Sequence, residues 1–214
     1  MSALQEFTHQ FQPATAPDLP TLLVLHGTGG SEHDLLPLGR LLCDGAALLS
    51  PRGRVVEHGM PRFFRRFAEG VFDLDDVRVR AGELAGFVTA AVAAHGLDAG
   101  RIVAVGYSNG ANIAHATALL HPSLFQALVL LHPQHVLTPD PLPSLGSLPV
   151  FISAGERDPI VLRPDVEALV DVLARAGARV TTHWLPGGHS LSREETELAR
   201  EWLACGRGTP GTAA

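Results

Sequence analysis

The chain has no lysine. All 16 of its basic residues are arginine, set against 22 acidic residues for a formal charge of -6 over 214 residues. That balance argues against nucleic acid as a main partner, which would call for a basic patch or stripe. Cysteine is nearly absent as well: Cys43 and Cys205 stand far apart, and they match neither a disulfide framework nor paired metal ligands. A reducing cytoplasm is the expected compartment. Long apolar runs are missing, so no membrane span is expected. The start, Met1 to Gln10, has neither a basic n-region nor an apolar core, and does not read as a signal peptide. No internal repeat or linker divides the chain. What is present is a composition of 46% hydrophobic and 18% charged residues, enough apolar material for a real core and too much for a disordered chain. One domain over residues 1–205 is expected, followed by a Gly, Pro and Thr rich tail at 206–214 that is expected to be disordered.

Short β-rich apolar runs alternate with stretches of helical spacing. The strand candidates are 21–26, 46–50, 102–106, 127–132, 149–154 and 179–185. Most are apolar at consecutive positions, as in parallel strands covered on both faces. Residues 6–12 are a candidate antiparallel edge strand. Helices are expected at about 32–43, 83–95, 109–120, 164–176 and 192–204; the last opens on Ser192 and Glu195, at capping-box spacing. The pattern predicts an α/β fold with a mostly parallel central sheet and helices on both faces. Residues 51–81 interrupt the rhythm. They form a long connection rich in Phe and Arg, and long connections of this kind are often functional.

Four segments carry the chemistry. Gly106-Tyr107-Ser108-Asn109-Gly110 follows the apolar run 102–105. This is the setting in which a strand turns sharply into a helix and lifts a serine hydroxyl into the open, with small residues required on either side. A serine needs a base. His189, in the loop Pro186-Gly187-Gly188-His189 after the last strand, is the favoured one, and His183 inside that strand is the main rival. The base in turn needs a carboxylate. Asp158 in Gly155-Glu156-Arg157-Asp158-Pro159 stands at a strand end, with Glu156 and Asp165 as weaker candidates. The order Ser108, Asp158, His189 is the one expected of α/β-hydrolases. His26-Gly27-Thr28-Gly29-Gly30 also ends a strand. The amides of Thr28 and Asn109 are the expected oxyanion donors. A phosphate-binding reading of this loop fails, because both the Walker lysine and the G-x-G-x-x-G spacing are missing.

Together these segments resemble the phospholipase/carboxylesterase branch of the α/β-hydrolase superfamily, especially its short bacterial MhqD-like carboxylesterases. The resemblance extends over about residues 20 to 204 and includes Ser50-Pro51-Arg52-Gly53 and the stretch from Met60 to Arg66. It implies a single-domain α/β-hydrolase fold, a Ser108, Asp158 and His189 triad with an oxyanion hole at Thr28 and Asn109, and hydrolysis of carboxylic esters. Separately, the short connection at about 133–148 leaves little sequence for a large lid. Related dienelactone hydrolases use a cysteine nucleophile, and Ser108 speaks against that activity.

The remaining features admit plainer readings. His132 and His135 are spaced like ligands but lack the helical context of a zinc motif, so no metal is expected. Glu32, His33 and Asp34 are expected to open a helix, where acidic groups suit the dipole. Arg62, Phe63, Phe64 and Arg65 are candidates for the substrate-pocket wall, with Arg62 or Arg65 able to attract an anionic group; packing of the aromatics on the core is the plainer alternative. The resulting expectation is a cofactor-free serine esterase, monomeric or homodimeric, acting on small or medium soluble esters in an open pocket. Thioesterase, lysophospholipase or acyltransferase activity, or a ligand-binding fold without catalysis, are the rivals.

Overall fold

The computed structural model describes residues 3–204; Cys205 and the tail expected to be disordered lie outside them. Seven strands form the central sheet: β1 (His9–Gln12), β2 (Thr21–Leu25), β3 (Ala47–Pro51), β4 (Ile102–Tyr107), β5 (Ala127–Leu131), β6 (Pro149–Gly155) and β7 (Arg179–Leu185). Their spatial order is β1-β3-β2-β4-β5-β6-β7. Only β1 runs antiparallel, pairing His9 with Pro51 and Gln12 with Leu48, so the expected edge strand is present in shortened form. The inner strands β2, β4 and β5 are buried almost throughout because helices cover both faces.

Side chains alternate between the faces at the strand period of two. Leu23, Leu25, Ala104, Leu128, Leu130 and Ile152 pack toward α2 (Leu74–His95), α3 (Asn109–Leu120) and α4 (Arg163–Arg175). Leu22, Val24, Val103, Val105, Val129 and Phe151 pack toward α1 (Leu36–Leu42) and α5 (Arg193–Ala204). The expected capping box is formed: Ser192 Oγ accepts from the Glu195 amide at 3.1 Å, and Glu195 Oε2 accepts from the Ser192 amide at 3.2 Å.

Two expectations need correction. Helix α2 begins at Leu74, nine residues before the expected 83. Asp73 caps it by accepting from the Asp76 amide, and acidic residues occupy its first turn. Glu32, His33 and Asp34 do not open α1, which starts at Leu36 with no acidic residue in its first turn. Glu32 is instead buried against Arg52, whose Nε and Nη2 donate to its two oxygens at 2.5 and 2.8 Å. Ahead of α2, the long connection folds into two small hairpins, Val55–Glu57 with Met60–Arg62 and Arg66–Ala68 with Val71–Phe72. No helix among the described residues is long and apolar enough to cross a membrane.

Helix α3 runs through the middle of the core and carries His115, which is fully buried. Its Nε2 donates to the Gln134 carbonyl at 3.0 Å, and burial pushes the imidazole down to about 3 from 6.5. An unfolded chain takes up this proton below about pH 6.5, whereas the folded chain refuses it until about pH 3. Stability is therefore lost as pH falls through that window and is fully retained above it. At about pH 5 the cost is about 2 kcal/mol. His115→Gln keeps a donor and removes the titration. Urea unfolding at about pH 7.5 and about pH 5 should show the drop between the two conditions shrinking by roughly 2 kcal/mol in that variant.

Candidate active site

Ser108 occupies the single residue between β4 and α3, with φ 52° and ψ -117°. A non-glycine residue holds such a conformation only where its surroundings dictate it. Here the backbone is pinned by the Ser108 amide donating to the Leu131 carbonyl at 2.9 Å, while the Asn112 amide donates to the Ser108 carbonyl at 2.9 Å. The flanking glycines are required by close approach. A Cβ on Gly106 would lie 2.4 Å from the Gly110 carbonyl oxygen, and one on Gly110 would lie 2.0 Å from that of Leu25.

The loop after β7 brings His189 over this turn. Its Nε2 lies 2.8 Å from Ser108 Oγ and its Nδ1 lies 2.7 Å from Asp158 Oδ2. The loop is held by Tyr107, whose hydroxyl donates to the His189 carbonyl at 2.6 Å, and by the Arg157 amide donating to the Gly187 carbonyl at 2.9 Å. Asp158 follows β6. Its Oδ1 accepts from the amides of Ile160 and Val161 at 2.8 and 3.0 Å. Burial opposes its charge, but the Val161 amide, His189 and the Ile160 amide together hold the carboxyl below its ordinary range. The three residues expected from sequence thus converge. The rivals do not: His183 stacks on Phe151 at 5.1 Å between centroids, and Asp165 lies in the first turn of α4, accepting from Gln134 Nε2 at 3.2 Å. Glu156 is an exposed turn residue beyond β6.

Thr28 and Asn109 line the same cavity as Ser108 and His189. Gly29 and Gly30 spend their amides on the carbonyls of Pro61 (2.9 Å) and Gly27 (3.1 Å). The Thr28 amide keeps no protein acceptor among the described residues. The amide of Asn109 belongs to the first turn of α3, where a helix supplies no partner. Both residues are tied to the first hairpin: Arg62 Nη1 donates to Thr28 Oγ1 at 2.7 Å, and the Phe63 amide donates to Asn109 Oδ1 at 2.7 Å. His26 supports the loop from below. Its Nδ1 donates to the Gly27 carbonyl at 2.7 Å and its Nε2 accepts from the Gly53 amide at 2.9 Å, an arrangement that needs a neutral ring. Burial lowers its pKa accordingly.

The cavity measures about 250 Å³, and Arg62, Arg66, Glu69 and Phe72 also line it. Of the four expected wall residues, only Arg62 lines it. Phe63 and Phe64 point into the core, where removing their apolar surface from water is favoured. Arg65 turns outward to pair with Asp73 at 2.9 Å. Arg66, held by Glu57 at 3.1 Å, takes the place assigned to it. Arg62 is itself buried, 3% exposed and 3.5 Å from Glu57, so it is a committed brace more than a free anion receptor.

One residue of the site was overlooked. His132, directly after β5, is buried and places Nδ1 3.1 Å from the same Asp158 oxygen that His189 uses. Sequence reasoning paired it with His135, but His135 turns away to Thr138 at 3.0 Å. Its position at the carboxyl end of a central strand, like that of Ser108 and Asp158, was the usable signal. His132, Asp158 and His189 bring candidate ligand atoms within 4.8 Å of one another. Both imidazoles aim Nδ1 at one carboxylate oxygen, however, which is the layout of a proton network.

A mostly parallel sheet covered on both faces, with a serine at the strand-to-helix turn and a histidine and an aspartate from later strand ends, defines an α/β-hydrolase. The sequence profile of the dienelactone hydrolase family matches residues 74–205. The chain is 45% identical over 194 residues to MhqD of Bacillus subtilis (strain 168), a protein named as a hydrolase, covering 91% of this chain and 96% of that one. It superposes on a Bacillus cereus carboxylesterase with a TM-score of 0.91 at 44% identity, covering 93% and 94% of the two chains. A Mesorhizobium loti carboxylesterase gives 0.88 at 33%, with 95% of each chain covered. The protein belongs to the dienelactone hydrolase family of the α/β-hydrolase superfamily, as its sequence motifs led us to expect at the superfamily level.

Proposed function

We propose that this protein is a carboxylic ester hydrolase working through an acyl-enzyme on Ser108. The observation that carries the reading is the unbroken chain from Ser108 Oγ through His189 to Asp158, at 2.8 and 2.7 Å. The carboxylesterase names of two similar solved structures support the same reading. Ser108 Oγ attacks the ester carbonyl while its proton passes to His189 Nε2. The carbonyl oxygen becomes an oxyanion, held by the amides of Thr28 and Asn109. On collapse the C–O bond to the alcohol breaks, and His189 returns its proton to the departing oxygen. A water then attacks the acyl carbonyl, giving its proton to His189, and the carboxylic acid leaves as Ser108 recovers its hydrogen. Asp158 fixes the His189 tautomer and balances the charge that forms on the ring.

A cavity of about 250 Å³ is near the small end of ligand sites, which favours small or medium acyl and alcohol groups. Among the described residues, the connection between β5 and β6 contains no helical segment that could form a lid over it. A fluorophosphonate probe should label Ser108, and a panel of short aryl esters, acyl-CoA thioesters and lysolipids should show the short esters as best substrates. Absence of labelling in folded protein would remove the proposal. A preference for thioesters or lysolipids would keep the chemistry and change the substrate class.

A further inference from the structure

Asp158 Oδ2 receives two imidazoles, and only one of them is needed for the reaction proposed above. The second, His132, has φ 51° and is fastened at its backbone by its amide donating to the Ser153 carbonyl at 2.8 Å. Its side chain is 3% exposed and lies between two buried carboxylates: Nδ1 is hydrogen-bonded to Asp158 at 3.1 Å, and Nε2 comes within 3.3 Å of Glu195 Oε1 as an ion-pair contact without hydrogen-bond geometry. Glu195 is 1% exposed. It is fixed by the capping-box bond to Ser192 and by the Ser153 hydroxyl donating to its Oε1. The rings beside it are His189, with centroids 5.3 Å apart, and Tyr107 at 6.0 Å, and Glu194 lines the same small cavity as His132 and Glu195. Burial raises the pKa of the Tyr107 phenol, with Asp158 and Glu195 adding to the effect, so it contributes no charge near neutrality.

A neutral His132 would have to point a lone pair at one of two carboxylates, leaving two buried negative charges against no positive one. Such charges are tolerated in an interior only when paired. We infer that His132 is a charged second imidazole of the catalytic network, a positioning residue that shares Asp158 with His189 and sets the charge balance in which the base works. The inference rests on reading Ser108, His189 and Asp158 as the triad. Burial works against a charge on His132, but Glu195 and Asp158 outweigh it and leave the imidazole above its ordinary value.

The test is the pH dependence of kcat/KM on a short aryl ester. His132→Asn keeps an amide donor near the Nδ1 position, and asparagine tolerates the left-handed backbone. Removing the positive charge should move the acid limb upward by about one pH unit, with the plateau at high pH reduced no more than several-fold. Glu195→Gln should move the limb the same way, because His132 then loses its second carboxylate. The double variant should shift no further than His132→Asn alone and should melt higher than it, since it removes a stranded buried carboxylate. A purely structural His132 would lower activity or melting temperature with the limb unmoved, and that result overturns the inference. Should His132→Asn not fold, imidazole ¹⁵N shifts of the wild-type protein decide: a His132 cationic through neutral pH supports the inference, and a neutral one ends it. Wild-type protein that neither turns over the ester nor accepts a fluorophosphonate removes the triad reading and this inference with it. Labelled, active protein with an unmoved limb in the variants removes this inference alone.

Discussion

Ser108→Ala is expected to reduce ester turnover by roughly four to six orders of magnitude while leaving the melting temperature within a degree or two of wild type. The two readouts separate because the hydroxyl and the backbone of this residue do different work. Among the described residues, the side chain's hydrogen bond is to His189 Nε2 at 2.8 Å. The strained turn is held by main-chain bonds to Leu131 and from Asn112 that alanine keeps, and alanine at φ 52° is no worse placed than serine. The amides of Thr28 and Asn109 stay where they are, so ester binding should persist and the loss should fall on kcat. Steady-state kinetics with an aryl ester, beside a thermal melt, checks both halves. Adding Asp158→Asn or His189→Ala to the same protein should cost almost nothing more, because the three residues act on one proton transfer and their losses do not sum. Residual turnover near wild type in Ser108→Ala would mean that another group attacks the carbonyl.

Much of this site could be read from the sequence because its parts stand at strand ends, and strand ends are where the apolar runs stop. Leu25, Tyr107 and Gly155 close strands β2, β4 and β6, and the reactive residues follow each within a few positions. Parallel strands announce themselves through consecutive apolar residues, and a glycine-flanked serine after one leaves few alternatives. The parts that were missed depend on contacts between distant segments. The hairpins at Val55–Arg62 and Arg66–Phe72 are three residues or fewer per strand, too short for an alternation pattern to register. Helix α2 begins in a run of Asp and Arg whose exposed face, including Val79, conceals the apolar spacing of Val77, Ala81 and Leu84. The burial of Glu32 and the outward turn of Arg65 follow from which partner each meets, Arg52 in one case and Asp73 in the other. His132 is the instructive miss. Its neighbour in sequence, His135, suggested a ligand pair, whereas its partners in space come from the β6–α4 loop and from α5, 26 and more residues away.

Gly110→Ala is expected to destabilise the protein by about 3 kcal/mol or more, a loss at the upper end for one added methyl group. The added Cβ would lie 2.0 Å from the Leu25 carbonyl oxygen, 2.5 Å from its carbon and 2.7 Å from the His26 carbonyl oxygen. All three are backbone atoms at the end of a central strand, so nothing flexible can yield. Either α3 lifts off the sheet or the end of β2 moves, and each carries part of the site with it. Asn109 rides on the helix and Thr28 on the loop that leaves β2. Surviving folded protein should therefore also show a kcat reduced by about a hundredfold, since displacement of a donor by about 1 Å is enough for that. Gly82→Ala provides the control. This glycine lies inside α2, its nearest atom is the tip of His121 at 3.9 Å, and the same added methyl should raise stability by about 0.5–1 kcal/mol through helix propensity. Urea unfolding of the two variants should move in opposite directions. A mild effect at Gly110 would mean that the contact between α3 and the end of β2 is looser than 2.0 Å allows, and the rigidity assigned to the serine turn would have to come from elsewhere.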